Sequence, residues 1–366
     1  MRTSPIRDLL LSRGAILAES HGVEVVSRFG DDVAAEYRAV RDAVGLTDFS
    51  FMTRHRVPEA GLDLLERYAT GPVANIRFGR LLHTMAANEE GLVEADLYIA
   101  NNDEELLVLG ESLVGDEATA QVLAKLGGAE AGLEDLAAGT ALIGIDGYQA
   151  FAVVKALFGP DVLGLPYLSI ETYDLSGAQV RLMRAGKTSE FGYLLLVPSD
   201  AAAMAWERLE RAGEPHGIRP VGMEAHCVLR LDGRFFNVHE EGRKVRDPLA
   251  LGLQWMIDFG KEEHRGRKAI ADRRAAGPGR KVVGVSAAEG AALEAGEKIL
   301  HQGEIVAEVV TAAFSPTIGR SMGLALFERP YAYAGLSFET ADGRTVDTIS
   351  LPPFMPKSLG VKLDEM

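Results

Sequence analysis

Four residues are best placed to act chemically on a ligand: two acids, and two polar residues that share one face of a helix. Asp96 lies on a strand that follows a turn, and Glu190 directly precedes another strand. His226 and Arg230 are four residues apart in a predicted helix at residues 221–231, so both side chains lie on one face of that helix. A positioned carboxylate can take part in proton transfer or stabilise positive charge, whereas a lone aspartate at a strand start more often binds local backbone amides.

The motifs that define common reaction types are absent from the sequence. There is no GxSxG nucleophile elbow, no Walker A sequence and no GxGxxG after a strand. His239, Glu240 and Glu241 begin like a zinc protease motif, but no second histidine follows at helical spacing. The single cysteine, Cys227, excludes an intrachain disulfide and a four-cysteine zinc site, and its simplest role is that of a small buried hydrophobe. We therefore predict no metal site, and generic motifs leave the function open.

The chain that must position these residues is acidic and folded. It has 366 residues, with 38 Lys+Arg against 53 Asp+Glu and a formal net charge of −15. This balance argues against nucleic-acid binding, which needs a basic surface, although a local basic pocket for a small anion is compatible with it. No stretch approaches the roughly 18 apolar residues of a membrane span, and the N-terminal apolar run is interrupted by Arg and Asp, unlike a secretory signal. We therefore predict a cytoplasmic protein that does not bind membranes.

The pattern of elements changes once along the chain. Helices and hairpin-like strands alternate irregularly over the first 270 residues, without the regular βαβ rhythm of a doubly wound sheet. After the Gly-Pro-Gly sequence at residues 277–279, short apolar runs recur about every 10–15 residues between turn residues, which is typical of an all-β module. The sequence therefore predicts an α+β fold with a domain boundary near residues 275–280.

Five segments, in the same order along the chain, are similar to signatures of one family. Residues 230–233 with 238–240 are similar to "RLEAG…GHE", and residues 314–320 are similar to "SPTLGK". Residues 41–52 are similar to "R…AGLFDVSHM", residues 251–270 to "AGLGW…D…F.GR.AL" and residues 351–354 to "LPF". Together the segments resemble the aminomethyltransferase family, the T-protein of the glycine cleavage system and its relatives, over essentially the whole chain.

This resemblance implies a three-lobed fold around a central hole that holds tetrahydrofolate. Two interleaved α+β lobes would span about residues 1–48 plus 138–275 and residues 49–137, and a C-terminal β-barrel would span residues 276–366. The T-protein takes an aminomethyl group from the lipoyl arm of a carrier protein, releases ammonia and makes methylene-tetrahydrofolate. The resemblance thus implies a tetrahydrofolate-dependent one-carbon transferase. Two alternatives stay open: a folate-dependent demethylase of a small methylated substrate, and a non-catalytic folate-binding regulatory protein.

The resemblance also implies roles for individual residues. Asp96 matches the functional aspartate of the family and would act at the reacting end of the folate, as the catalytic carboxylate. The carboxylate of Glu190 would accept two hydrogen bonds from N–H groups of the pterin ring. Arg230 would bind the glutamyl carboxylate of folate or form a buried structural ion pair. Asp96, Glu190, His226 and Arg230 are expected in one pocket. The complete set of expected cofactor contacts is Glu190, Arg230, His226, Met52, His83 and Tyr193.

The chain departs from the family pattern where cofactor and substrate would bind. Ala95 replaces the first aspartate of a family pair, Phe51 replaces a histidine, and His226 and Cys227 replace an Arg-Asp pair. Residues 187–193 keep one acid where the family stretch keeps two. The same region lacks the cysteine of the relatives that act in iron–sulfur assembly, which disfavours that branch. The sequence therefore predicts a divergent member of the family, with a small one-carbon donor or a lipoylated carrier protein as its partner.

Overall fold

The structure is a computed structural model that describes residues 2–20, 22–102 and 105–362. The α-helices in these residues are α1 (Arg7–Ser12), α2 (Val33–Asp42), α3 (Leu62–Tyr68), α4 (Gly115–Lys125), α5 (Ala150–Phe158), α6 (Ala202–Gly213), α7 (Met223–Gly233), α8 (Arg243–Val245), α9 (Pro248–Leu251) and α10 (Arg267–Ala276). The strands are β1 (Ala15–Ser20), β2 (Val23–Phe29), β3 (Val44–Asp48), β4 (Thr53–Pro58), β5 (Arg80–Ala87), β6 (Val93–Asn102), β7 (Glu105–Ser112), β8 (Glu134–Asp135), β9 (Thr140–Asp146), β10 (Ile170–Leu175), β11 (Ala178–Met183), β12 (Gly192–Pro198), β13 (Ile218–Pro220), β14 (Arg280–Ala287), β15 (Lys298–His301), β16 (Glu304–Ser315), β17 (Arg320–Glu328), β18 (Ser337–Thr340) and β19 (Thr345–Ile349).

The first large sheet has six strands in the order β10-β11-β12-β9-β3-β13. Its neighbours are antiparallel except β13, which runs parallel to β3. Helices α5 and α6 cover one face of the sheet, and their apolar side chains, including Val153 and Trp206, form a core with that face. The other face presents Leu142, Met183 and Leu194 to the second large sheet. The sheet is therefore buried on both faces.

The second large sheet has five strands in the order β5-β6-β7-β4-β8. Because side chains alternate along a strand, β6 sends Leu97 and Ile99 to one face, where they pack with Leu65 and Leu123 of the covering helices. The opposite face carries Tyr98, which packs against the first sheet. Polar side chains on this face therefore lie between two sheets and away from solvent.

The C-terminal strands form a closed barrel in the order β14-β17-β16-β15-β18-β19. Closure pairs every strand on both sides and leaves no open sheet edge. Val282 and Leu324 of the barrel share a hydrophobic core with Leu249 and Ile270, so the barrel packs directly on the rest of the chain. The predicted α+β class and C-terminal barrel are confirmed, whereas the residue ranges expected for the lobes stay a prediction. Among the described residues, no helix is long and apolar enough to cross a membrane.

Candidate active site

A small cavity lies between the two large sheets and is bounded by α7. The strands β6, β7 and β12 reach it from both sides, and the connection between β11 and β12 enters it. Its volume is about 20 Å³. The residues that line it are Phe49, Met52, Tyr98, Glu111, Asp146, Gly186, Lys187, Leu194, His226 and Arg230.

Two carboxylates beside the cavity lie directly opposite each other, Asp96 on β6 and Glu111 on β7. Like charges at such positions repel unless a cation lies between them. Lys187 Nζ fills this role and donates to Asp96 Oδ2 at 2.5 Å and to Glu111 Oε1 at 2.8 Å. The remaining oxygens are paired as well, because His83 Nε2 lies 2.7 Å from Asp96 Oδ1 and Arg230 Nη1 donates to Glu111 Oε2 at 2.9 Å. We call these five side chains the cavity network.

The charges of the cavity network keep its acids ionised. Burial alone would raise the pKa of Asp96, but Lys187 and His83 outweigh burial and hold that pKa below its usual value. The pKa of Glu111 is well below its usual value, because Arg230 and Lys187 together outweigh its burial. Burial would lower the pKa of Arg230, but Glu111 outweighs it and raises that pKa. Two carboxylates and two cations therefore balance each other in a buried site.

Helix α7 brings His226 and Arg230 to the cavity, as their spacing predicts. His226 Nε2 lies 2.8 Å from Thr47 Oγ1, and the ring meets Phe49 edge-on with 5.1 Å between the ring centroids. Burial, together with the charge of Arg230, lowers the pKa of His226 to about 3. The imidazole is therefore neutral at pH 7, and it contributes hydrogen bonding but no charge.

Several polar groups at the cavity lack adequate partners. Tyr98 Oη, His226 Nδ1 and Arg230 Nε are buried and have no hydrogen-bond partner among the described residues. Asp146 accepts one long hydrogen bond, 3.4 Å from Thr188 Oγ1, and burial raises the pKa of this acid to about 7. An unpaired buried polar group costs about 1–3 kcal/mol, so such groups mark places where a polar ligand or water binds. The cavity is thus a candidate binding site that retains unused hydrogen-bonding capacity.

Most of the site residues predicted from the sequence meet here. Met52, His226 and Arg230 line the cavity. Asp96 and His83 lie directly beside it, since Asp96 contacts Lys187 and His83 contacts Asp96. The structure therefore brings these five residues together, while their roles in binding and catalysis stay predictions.

Glu190 lies elsewhere, contrary to the expectation that it shares the pocket with Asp96. Its carboxylate accepts the backbone N–H groups of Lys357, at 3.2 Å, and Ser358, at 2.9 Å. It also lies 3.7 Å from Arg41 Nη1. Glu190 therefore fastens the C-terminal segment to the connection that precedes β12, and its oxygens are not directed to the cavity.

Tyr193 also lies outside the cavity. It is the second residue of β12 and packs into the core under α5 and α6. Because successive side chains of a strand point to opposite faces, the next residue, Leu194, lines the cavity instead. The segment that the resemblance singles out reaches the cavity, but the pleat of the strand decides which of its residues faces the cavity.

The sequence reasoning overlooked four polar residues of the site: Tyr98, Glu111, Asp146 and Lys187. Glu111 follows the apolar run at residues 106–109 on the same strand, and alternation along β7 places it on the inner face. Lys187 stands in the same segment as Glu190 and Tyr193, the two residues that the resemblance singles out there. A buried lysine has no sequence signal of its own, because its burial depends on acids that lie 76 and 91 residues away.

The C-terminal end of α7 is held by a second set of buried polar side chains, which we call the Asp232 cluster: Tyr37, Arg41, Asp232 and Ser315. Arg41 Nη2 donates to Asp232 Oδ1 at 2.6 Å, and Ser315 Oγ donates to Asp232 Oδ2 at 2.9 Å. The Tyr37 hydroxyl donates to Asp232 as well. Ser315 belongs to the barrel, in the segment similar to "SPTLGK". The barrel therefore helps to fix the helix that carries His226 and Arg230.

A larger surface groove of about 1,090 Å³ lies along β4, β5 and β10, away from the cavity network. Its arginines already have partners: Arg56 and Arg181 pair with Glu105, and Arg80 donates to the Tyr167 carbonyl. In residues 2–20, 22–102 and 105–362, no three His, Cys, Asp or Glu side chains cluster closely enough to hold a metal ion. The small cavity is therefore the stronger candidate for an active site.

Two sheets that enclose a buried charged cavity, with a closed barrel packed beside them, define a T-protein-like fold. The family model described as "GCVT N-terminal domain" matches residues 6–261, and the model described as "Glycine cleavage T-protein C-terminal barrel domain" matches residues 280–355. The chain belongs to the aminomethyltransferase family, that of the glycine cleavage T-protein.

Relatives match nearly the full length of this chain. The aminomethyltransferase of Frankia alni is 32% identical over 372 residues, which cover 98% of this chain and 99% of the relative. That of Symbiobacterium thermophilum is 30% identical over 351 residues, with coverage of 93% and 92%. The crystal structure of glycine cleavage system aminomethyltransferase T from Bartonella henselae superposes with a TM-score of 0.82 at 20% identity, covering 96% of this chain and 97% of that one. At that identity the structural likeness shows the fold, and the relatives' names support a transferase.

Proposed function

We propose that the protein is a one-carbon transferase that acts at the small cavity between the two large sheets, which we call the central cavity. In this proposal Asp96 is the catalytic carboxylate and tetrahydrofolate is the acceptor. The observation that supports this proposal is the state of Asp96. It is an ionised acid in a buried site, and its pKa is held below its usual value by Lys187 and His83. A fixed negative charge in a buried site stabilises a reacting cationic group strongly.

Tetrahydrofolate does not fit the cavity in the observed conformation. A volume of about 20 Å³ suits a single water molecule, whereas pockets for cofactors typically span about 300–1,000 Å³. Both oxygens of Asp96 are also taken, by Lys187 and His83. Binding of the acceptor therefore requires a conformation in which the cavity is larger.

The side chains of the cavity have separate tasks in this proposal. Asp96 holds negative charge at the reacting position. Arg230 and Glu111 form an ion pair that holds α7 against β7. The unpaired Tyr98 Oη and His226 Nδ1 offer hydrogen bonds that orient a bound molecule. Most of the rate enhancement would come from such positioning, since well-oriented groups react as if at very high local concentration.

The donor of the one-carbon unit distinguishes two forms of the proposal. In the first, the donor is the aminomethyl group on a lipoylated carrier protein, the donor of the glycine cleavage T-protein. In the second, it is a methyl group on a small substrate. An assay that combines the protein with the reduced, dihydrolipoyl form of the carrier, ammonia and methylene-tetrahydrofolate separates the two. Only the first form consumes ammonia, because it joins ammonia and the methylene carbon to a carrier thiol and releases tetrahydrofolate.

A second candidate function is supported by the pairing of both Asp96 oxygens with Lys187 and His83. A chain that keeps the fold but holds Asp96 in an internal ion pair would bind folate without turning it over, as a regulatory protein. Folate binding with no turnover of carrier-bound or methylated donors would favour this alternative.

Calorimetric titration of tetrahydrofolate tests the proposal directly. We expect the wild-type protein to bind. In a separate turnover assay we expect Asp96→Asn to keep the fold but lose about 100-fold or more in turnover, because the fixed charge at the reacting position is removed. Glu339→Gln, at an exposed position on β18, is the matched control and should change neither value. No binding to the wild-type protein at high micromolar ligand would exclude folate as the acceptor.

A further inference from the structure

We infer that Lys187 closes the central cavity and controls whether a ligand enters it. This inference rests on the proposed function, because it concerns access to the proposed site. Lys187 is buried, and its ammonium lies 2.5 Å from Asp96 Oδ2 and 2.8 Å from Glu111 Oε1. It lies over the ring of Tyr98 as well, 5.5 Å from the centroid. Its side chain therefore takes up the contacts that the acids and the aromatic ring would otherwise offer to a ligand.

The cavity retains groups that Lys187 does not satisfy. The unpartnered atoms of Tyr98, His226 and Arg230 remain, and Asp146 has one long hydrogen bond. A purely structural ion network gains stability when every buried polar group is paired, since each unpaired group carries a cost. The combination of a lysine in the centre and unsatisfied groups around it is typical of a binding site in its closed state.

The backbone around Lys187 is held in place on both sides. Gly186 and Gly192 pack so closely that a Cβ on either would come within 2.8 Å of the other's Cα atom. Arg41 donates to the Thr188 carbonyl, next to Lys187. Three residues after Lys187, Glu190 is bound to the N–H groups of Lys357 and Ser358. The connection that carries the lysine is thus fastened to the C-terminal segment, and its movement requires these contacts to loosen.

The physical consequence is a reduced apparent affinity. When only a fraction of molecules has an open cavity, the dissociation constant for a ligand increases by the inverse of that fraction. Shortening Lys187 removes this requirement together with the cation that lies between Asp96 and Glu111. A long neutral side chain loses the same charge. Keeping a long neutral side chain at the same position preserves the closure by volume.

The experiment compares Lys187→Ala with Lys187→Met and the wild-type protein, each titrated calorimetrically with tetrahydrofolate. We expect Lys187→Ala to bind at least tenfold more tightly than the wild-type protein, and Lys187→Met to bind no more tightly than the wild type does. Equal affinity of Lys187→Ala and the wild type would overturn the role of Lys187 and leave the proposed function intact. No binding by the wild-type protein at high micromolar ligand would remove folate as its acceptor, whatever Lys187→Ala does.

A second measurement on the wild-type protein keeps the inference testable if Lys187→Ala does not fold. Brief acetylation followed by mass spectrometry compares the modification rate of Lys187 with that of Lys268, whose side chain is 87% exposed. We expect Lys187 to react at least tenfold more slowly, and to react faster when tetrahydrofolate is present at saturation. Modification of Lys187 at the rate of Lys268 without ligand would overturn the closed state, whichever ligand the protein binds.

Discussion

The two buried polar clusters of this protein differ in how completely they are paired. In the Asp232 cluster, Arg41 donates to the Asp232 carboxylate and to the Thr188 carbonyl, and the hydroxyl groups of Tyr37 and Ser315 complete the set. In the cavity network the two carboxylates are paired as well, but cavity side chains next to them keep three polar atoms without partners. The first cluster is complete without a ligand, and the second is not.

This difference separates a structural cluster from a functional site. Burying charges is costly, so a cluster that only holds elements together is stabilised most when every donor and acceptor is used. The Asp232 cluster joins α2, α7 and the barrel and meets that condition. The cavity does not meet that condition, because Tyr98, His226 and Arg230 each have a polar atom without a partner. Such unpaired atoms are expected where polar groups bind a ligand.

The largest effect is expected from removing the arginine of each cluster. Arg41→Met should lower the free energy of unfolding by about 3–5 kcal/mol, because Asp232 then remains buried without a cation. Arg230→Met should lower it by about 2 kcal/mol, because Glu111 keeps its ion pair with Lys187. Urea denaturation followed by tryptophan fluorescence measures both values. A loss for Arg230→Met as large as that for Arg41→Met would contradict the distinction between the clusters.

A pH dependence of opposite sign is expected from two residues of the cavity. The pKa of His226 is lowered to about 3 in the folded protein, so its contribution to stability is present above pH 6.5 and is lost as the pH falls toward 3. The pKa of Asp146 is raised to about 7, so its contribution is present below pH 3.8 and is lost as the pH rises through 7. The two effects offset each other between pH 4 and 6.5 in the wild-type protein.

Single variants should expose each effect. We expect His226→Gln to become more stable as the pH falls from 7 to 4, and Asp146→Asn to become less stable over the same range, each by about 2 kcal/mol. Thermal or urea unfolding at several pH values provides the measurement. Parallel pH profiles for the two variants would show that these residues are not buried as the structure has them.

The smallest effect is expected at the attachment of the C-terminal segment. Glu190→Gln replaces a charged acceptor of two backbone N–H groups with a neutral one, which weakens each hydrogen bond. Cleavage by trypsin after Lys357 should become about fivefold faster, since proteolysis follows the population of the released segment. Glu339→Gln serves as the control. Unchanged cleavage in Glu190→Gln would show that Glu190 does not hold the segment.

Much of the fold was accessible from the sequence because it depends on local signals. The change to short apolar runs after residue 280 predicted an all-β module, and the family resemblance implied that this module is a barrel. The spacing of His226 and Arg230 predicted that one helix face would carry both. The predicted helix at residues 221–231 is α7, Met223–Gly233. The collinear segments were sufficient to indicate the family, which the family models confirm.

The site was predicted less completely, because the direction of a side chain and its hydrogen-bond partners depend on distant parts of the chain. Tyr193 and Leu194 are neighbours on one strand, and only the packing of α5 and α6 decides that Leu194 faces the cavity. Glu190 was expected to bind a cofactor, but the C-terminal segment, which lies 167 residues further along the chain, supplies its partners.

The sequence by itself determined the class of fold, the family and the approximate positions of Asp96, His226 and Arg230, because periodicity and motif order are encoded over short distances. Only the tertiary structure decided that Lys187 lies between Asp96 and Glu111. An ammonium ion is stable in the interior only when opposite charges surround it, and those charges come from two strands far from it in sequence. In the inference drawn above, that arrangement closes the cavity, and the side chain of Lys187 controls the access of a ligand to Asp96, His226 and Arg230.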